Sequence, residues 1–171
     1  MGLSNAISGG IIMVGITYMI FTFGGITDKA ASFSDVSSQM SDLENKLVKT
    51  AITAQIQNNN KNDPNFDIDI TNQNIEKLWE FDKFDVIVTY TSGSIEYTET
   101  MRYSSTCPPT AGEWCVSSWS NDIQDPGILN YGETVRLNVE LNIAAGPKGG
   151  TDMTVVVSTQ NGVVATHTKK V

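Results

Sequence analysis

The chain has 171 residues, with 11 Lys or Arg against 19 Asp or Glu and a formal net charge of −8 at pH 7. Nucleic-acid binding rests on neutralising phosphates with Lys and Arg; with no basic stripe anywhere, this balance argues against it and suits basic or neutral glycosylated partners better. The length is enough for one ordinary domain whose single core needs neither metals nor several disulfides.

From Met1 to Thr27 there is no charged side chain, and Ala6 to Ile26 run almost continuously apolar up to Asp28 and Lys29. At 1.5 Å per residue, about 20 residues span the ~30 Å hydrocarbon core of a bilayer. The segment therefore predicts one membrane-crossing helix over 1–27, with Ile11, Ile12, Val14, Ile16, Met19, Ile20, Phe21 and Phe23 as its apolar residues. A secretory signal peptide would carry Lys or Arg ahead of the apolar run, and none stands there. The positive-inside rule has no Lys or Arg to count on the N-terminal side. Bulk decides instead: the sizeable domain follows the span, which predicts the N-terminus inside and the C-terminus outside. Ser4, Ser8, Gly10, Gly15 and Gly24 would let such helices approach closely.

After Thr27 the apolar pattern becomes periodic. Phe33, Val36, Met40, Leu43 and Leu47 recur at spacings of three and four among Ser, Asp, Gln, Glu and Lys, which is the pattern of an amphipathic helix. Ala51, Ala54 and Ile56 prolong the stripe until the Asn run and Pro64 stop it. The reading is a helical stalk over 28–63, joined through Gly24-Gly25 as one long helix or with a hinge. Val36, Met40, Leu43 and Leu47 are its packing face, turned either to the chain's own domain or to copies of itself in an oligomer.

From Phe66 onward the period is two. Phe66 to Ile70, Phe84 to Tyr90, Ser94 to Tyr103, Trp114 to Trp119, Thr134 to Ile143, Met153 to Thr159 and Val163 to Thr168 predict about seven half-buried antiparallel strands. Turn signals separate them, and Asn161-Gly162 between two Val runs is the strongest hairpin signal. So many short strands at this spacing predict a two-sheet sandwich of immunoglobulin-like architecture over 64–171. The fold class is α+β, a long N-terminal hydrophobic and amphipathic helix followed by an antiparallel immunoglobulin-like β-sandwich.

Cys107 and Cys115 are the only cysteines and bracket a loop containing Pro108-Pro109. Outside the cell they predict a disulfide worth about 2–3 kcal/mol, which trims a loop rather than holding up the fold. With no histidine nearby they do not supply the four ligands of a zinc site. His167, the only histidine, reads as a surface residue near the end of the last strand. No G-x-S-x-G, phosphate-cradling glycine loop, H-E-x-x-H or EF-hand spacing occurs, so neither catalysis, nor a cofactor, nor a small-molecule substrate is expected. Asp63, Asp67 and Asp69 cluster, the last two on one outward strand face. Asp122 and Asp125 lie on a loop that could hold Ca²⁺ but read more simply as solvated turn residues. Trp79, Trp114 and Trp119 are core residues in the first reading and binding hot spots in the second.

The layout and a few short motifs resemble a known family. An apolar anchor containing Ser8-Gly-Gly-Ile-Ile12, an amphipathic stalk, a small sandwich, the run from Asp125 through Tyr131-Gly132-Glu133 into an alternating strand, and Asn161-Gly162-Val163 resemble the F-type accessory protein of the archaellum, the archaeal swimming filament. More broadly the chain is similar to the archaeal pilin and archaellin superfamily. The resemblance implies a membrane-anchored protein whose outer sandwich binds S-layer protein through an acidic or edge-strand surface and acts as a stator around the rotating filament. The broader likeness implies the alternative, an extracellular filament of identical subunits with the N-terminal helix as its core. Gly9-Gly10 looks like a pilin-type leader cut site but lacks the basic residue such leaders carry. The family brings no catalytic residues. Tyr131 stands where its pattern has proline, and the Cys107–Cys115 loop looks like an insertion.

Overall fold

The computed structural model describes residues 3–171 and, within its helix, the side chains of residues 11–21, 29 and 33–49. It divides into a helical unit, Met1–Glu44, and a β head, Asn45–Val171.

Helix α1 runs from Leu3 to Lys49 without a break in its backbone at Gly24-Gly25. Lys46 and Lys49 sit in its last turn, where cations complement the helix dipole. The Thr50 hydroxyl donates to the Lys46 carbonyl at 2.7 Å, satisfying one of the carbonyls that the helix end leaves open. The helix therefore stops well short of residue 63. Ala54 and Ile56, expected to prolong the helical stripe, are inward residues of strand β1, Ile52–Gln57. The stretch Ile52-Thr-Ala-Gln-Ile-Gln57 also alternates with period two and is rich in β-branched residues, so pairing with a neighbouring strand overrides the weak helical continuation.

Seven further strands follow: β2 Asn65–Asn72, β3 Asp85–Ser92, β4 Ile95–Tyr103, β5 Glu113–Ser120, β6 Thr134–Glu140, β7 Asp152–Ser158 and β8 Val164–Lys170. They match the seven expected from the alternating pattern. A short 3₁₀ turn, Phe81–Lys83, precedes β3. The sheet order is β1-β2-β6-β5-β4-β3-β7-β8. It consists of two antiparallel halves, β1-β2-β6-β5 and β4-β3-β7-β8, joined where β4 and β5 run parallel through Arg102↔Glu113 and Tyr103↔Trp114. The all-antiparallel expectation is corrected at this junction. The nine-residue excursion from Ser104 to Gly112 brings the chain back in the same direction, which a tight hairpin cannot do.

At the far side β1 and β8 meet through side chains. Ile56 N–H donates to His167 Nδ1 at 3.2 Å, and Lys169 Nζ donates to the Ile56 carbonyl at 3.1 Å. The sheet is thus nearly closed. Its inner faces supply one core, with Phe66, Ile68 and Ile70 of β2, Val86, Val88 and Tyr90 of β3, Val135, Leu137 and Val139 of β6, Met153, Val155 and Val157 of β7, and Trp114 of β5. These are the alternate residues of each strand, as the two-residue period requires.

Candidate functional site

The residues singled out on the helix are exposed wherever their side chains are described. Ile11, Ile12, Val14, Ile16, Met19, Ile20 and Phe21 are exposed, the least of them by 54 %; Phe23 lies outside the described side chains. Among the described residues no helix is long and apolar enough to cross a membrane. The described run Ile11 to Phe21 is about half the ~20 residues a span needs. Ser4, Ser8, Gly9-Gly10 and Gly24 likewise fall outside the described side chains. Further along, Phe33, Val36, Met40 and Leu43 are exposed by 56 % or more, and so is Leu47 by 43 %. Isolated apolar residues on a surface are ordinary, whereas these five recur at spacings of three and four along one side of the helix.

In the head, one end is held together by three buried polar side chains. Asn72 donates through Nδ2 to the carbonyls of Glu76 and Leu129 and accepts through Oδ1 from Asn74 N–H. Nearby, Glu76 N–H donates to the Lys49 carbonyl, so the last turn of α1 is tied to this end. Glu133 has only 5 % of its surface exposed. Its carboxylate accepts from Asn130 N–H at 2.8 Å and Asn130 Nδ2 at 3.1 Å, with longer contacts to the N–H groups of Ile123 and Gln124. Burial pushes the Glu133 carboxyl up, but these donors outweigh it and hold the group below its ordinary value. Gly132, beside it, has φ of 77°, a left-handed conformation that favours glycine. The Gly132-Glu133 motif is thus a loop latch. Around it Ile75, Ile123 and Tyr131 are exposed and line a hollow of about 450 Å³.

Asp67, Asp69, Asp122 and Asp125 each have a partner. Asp125 pairs with Lys77, and Asp122 accepts from Gly127 N–H within the same loop. Asp69 receives a two-pronged contact from Arg136 across the β2–β6 pair, at 2.6 and 2.8 Å, the fork geometry that makes arginine suited to carboxylates. Asp67 accepts from Asn58 and Asn138. Asp67 and Asp69 therefore share the outward face, as the alternation predicts. Trp114 is fully buried and Trp119 packs edge-on against Phe81, whereas Trp79 is half exposed. His167 is corrected from a surface residue to a half-buried member of the β1–β8 seam. No signal in sequence pairs it with Ile56, 111 residues away. Cys107 and Cys115 form the expected disulfide, with Cα atoms 5.7 Å apart.

Strand β4 offers an open edge. β4 pairs with β3 along its length but with β5 only at its end, so among the described residues the far edge of Ile95 to Thr100 has no strand beside it. The β5 edge that faces β4 is likewise without a strand beyond Trp114, whereas β1 and β8 are linked through the His167 and Lys169 contacts to Ile56. An unpaired edge offers its N–H and C=O groups to another chain.

No protein-family model matches this sequence, and no characterised protein matches it significantly. Among solved structures, the archaellum periplasmic stator protein FlaG from Sulfolobus acidocaldarius is similar at a TM-score of 0.51 and 16 % identity, over 70 % of this chain and 99 % of that one. The archaeal flagellum of Methanospirillum hungatei strain JF1 is similar at a TM-score of 0.53 and 11 % identity, over 96 % of this chain and 92 % of that one. This chain therefore has the fold found in an archaellum stator protein and in an archaeal flagellum.

Proposed function

We propose that this chain is a non-enzymatic component of the archaellum machinery, of the stator type. Residues 1–27 anchor it in the cell membrane and the β head stands outside the cell. The observation that carries the reading is the pairing of a self-contained head with a helix whose Ile11 to Phe21 side chains are exposed and uncharged. The chain's likeness to FlaG over 99 % of that chain supports it, as does the disulfide, which persists in oxidising surroundings. The head grips S-layer protein, and the open edge of β4, with Glu96 exposed beside it in a chain of net charge −8, is the surface that suits an extended, basic segment of that partner. Two measurements test this. Flotation of cell membranes should carry the chain, and immobilised S-layer protein should retain the detergent-solubilised chain. A chain absent from membranes, or S-layer protein that fails to retain it, would refute the stator reading.

The alternative is a filament subunit that polymerises through α1. It is favoured by the unbroken helix and by the likeness to the Methanospirillum hungatei flagellum over 96 % of this chain, more than the head alone accounts for. Negative-stain microscopy with N-terminal sequencing of material sheared from cells separates the two. Uniform filaments built from this chain establish the subunit reading, and membrane-bound particles without filaments establish the stator.

A further inference from the structure

We propose that Phe33, Val36, Met40 and Leu43 form the seam of a parallel, in-register two-helix coiled coil with the same segment of a second copy of this chain. The inference rests on the anchored reading above and names the partner of its stalk.

The spacing of these residues is three, four, three, and Leu47 continues it with four. That is a repeat of 3.5, two apolar positions in every seven. A helix lying on a sheet needs a broader stripe, about three apolar positions in seven, whereas a strict two-position stripe is the narrow seam of paired helices. Because 3.5 is less than the 3.6 of a straight helix, the stripe stays facing its partner only if the two wind left-handedly around each other. The face is open to receive one, since all four residues are exposed by 56 % or more.

Helix stability points the same way. Ser32, Ser34, Ser37, Ser38 and Ser41 crowd this stretch, and serine is a weaker helix former than Ala, Leu or Lys. A single helix of this composition is marginal in water and draws its stability from packing an apolar face. Charge allows that face to meet a copy of itself. Asp35 and Asp42 fall on the side away from the seam, while the flanking positions carry Ser37, Gln39 and Glu44. In a parallel, in-register pair Gln39 of one helix lies beside Glu44 of the other, so an amide faces a carboxylate. Two anchors in one bilayer with one orientation impose the parallel arrangement. The seam ends at Lys29, which occupies the next position toward the N-terminus. Being only about two heptads long, it is short for a free coiled coil, and the common membrane supplies the effective concentration that holds it together.

The test is disulfide trapping of full-length chain in native membranes. Met40→Cys and Leu43→Cys place a thiol in the seam; Ser38→Cys and Ser41→Cys place one on the outer side. Under mild oxidation, both seam variants should cross-link to their own kind at least about tenfold faster than either outer variant. Equal rates at all four positions, or no dimer at any, would overturn the proposal. So would a Met40→Cys thiol that cross-links to a different position but not to itself, since that reports the staggered packing of a filament or an antiparallel pair. Membrane flotation of the unmodified chain keeps the two readings apart. A chain that floats with membranes but does not cross-link sinks the coiled coil alone, whereas a chain that does not float sinks the anchor.

Discussion

Replacing Glu133 tests whether the latch holds the loops at one end of the head. The shortest contacts, from Asn130 N–H and Nδ2 at 2.8 and 3.1 Å, are charge-assisted and come from a residue with 6 % of its surface exposed. Hydrogen bonds to charged groups contribute about 1.5–3 kcal/mol, and a buried donor left unpaired costs about 1–3 kcal/mol. The contacts to Ile123 and Gln124, at 3.3 and 3.4 Å, add little. Glu133→Ala should therefore destabilise by about 3 kcal/mol at pH 7, and Glu133→Gln, which keeps an acceptor but no charge, by roughly half that. The pH dependence supplies a second check. Because the folded group lies below its ordinary value, its contribution is fully present above the unfolded pKa of about 4.3 and is lost as pH falls through the folded value. The gap between wild type and Glu133→Gln should accordingly close as the pH is lowered below about 4. Urea unfolding of the full chain in mild detergent, followed by tryptophan fluorescence at several pH values, measures both quantities. A loss under about 1 kcal/mol for Glu133→Ala, or a gap that widens toward acid, would refute the reasoning.

Other consequences can be checked in the same preparation. Leu137→Ala, at a fully buried position paired with Ile68 and Val116, should cost about 2–5 kcal/mol through the cavity it leaves; a cost below 1.5 kcal/mol would mean that the core is looser there than its burial indicates. Changing Cys107 and Cys115 together to Ser should cost about 2–3 kcal/mol and leave the head folded, with circular dichroism reporting the fold and urea titration the loss. His167→Ala removes the acceptor for Ile56 N–H and should destabilise by about 0.5–1.5 kcal/mol. Its specific mark is faster hydrogen exchange at the Ile56 amide, and unchanged protection there would mean that the β1–β8 seam is held without His167.

Periodicity carried most of the architecture. Seven of the eight strands were legible because one face of each is buried and the other wet, which writes a period of two into residues such as Val135, Leu137, Val139 and Met153, Val155, Val157. The helix from Phe33 to Leu47 was legible from apolar spacings of three and four, and the disulfide from compartment and spacing. The eighth strand was missed because Ile52, Ala54 and Ile56 satisfy both periods over so short a run. Only pairing with β2, Ala54 against Ile70 and Ile56 against Ile68, resolves them.

Everything that depends on distant residues meeting belonged to the tertiary structure. Local pattern reports which face of a strand is buried but not which strand lies beside it, so the parallel β4–β5 junction, the open edge of β4 and the order of the sheet were invisible in the chain. Glu133 and His167 illustrate the same limit in single side chains. In the sequence Glu133 is part of a short Gly-Glu motif and His167 a lone surface histidine, and their roles exist only because Asn130 and Ile56 present backbone N–H groups to them. Composition and periodicity alone determined that this is an acidic chain with an apolar N-terminal helix and a β-rich head. Closure of the sheet and the β1–β8 seam were decided by long-range contacts, and the latch by a loop that folds Asn130 back onto Glu133, because burial makes the cost of an unpaired polar group large enough to select one partner among many.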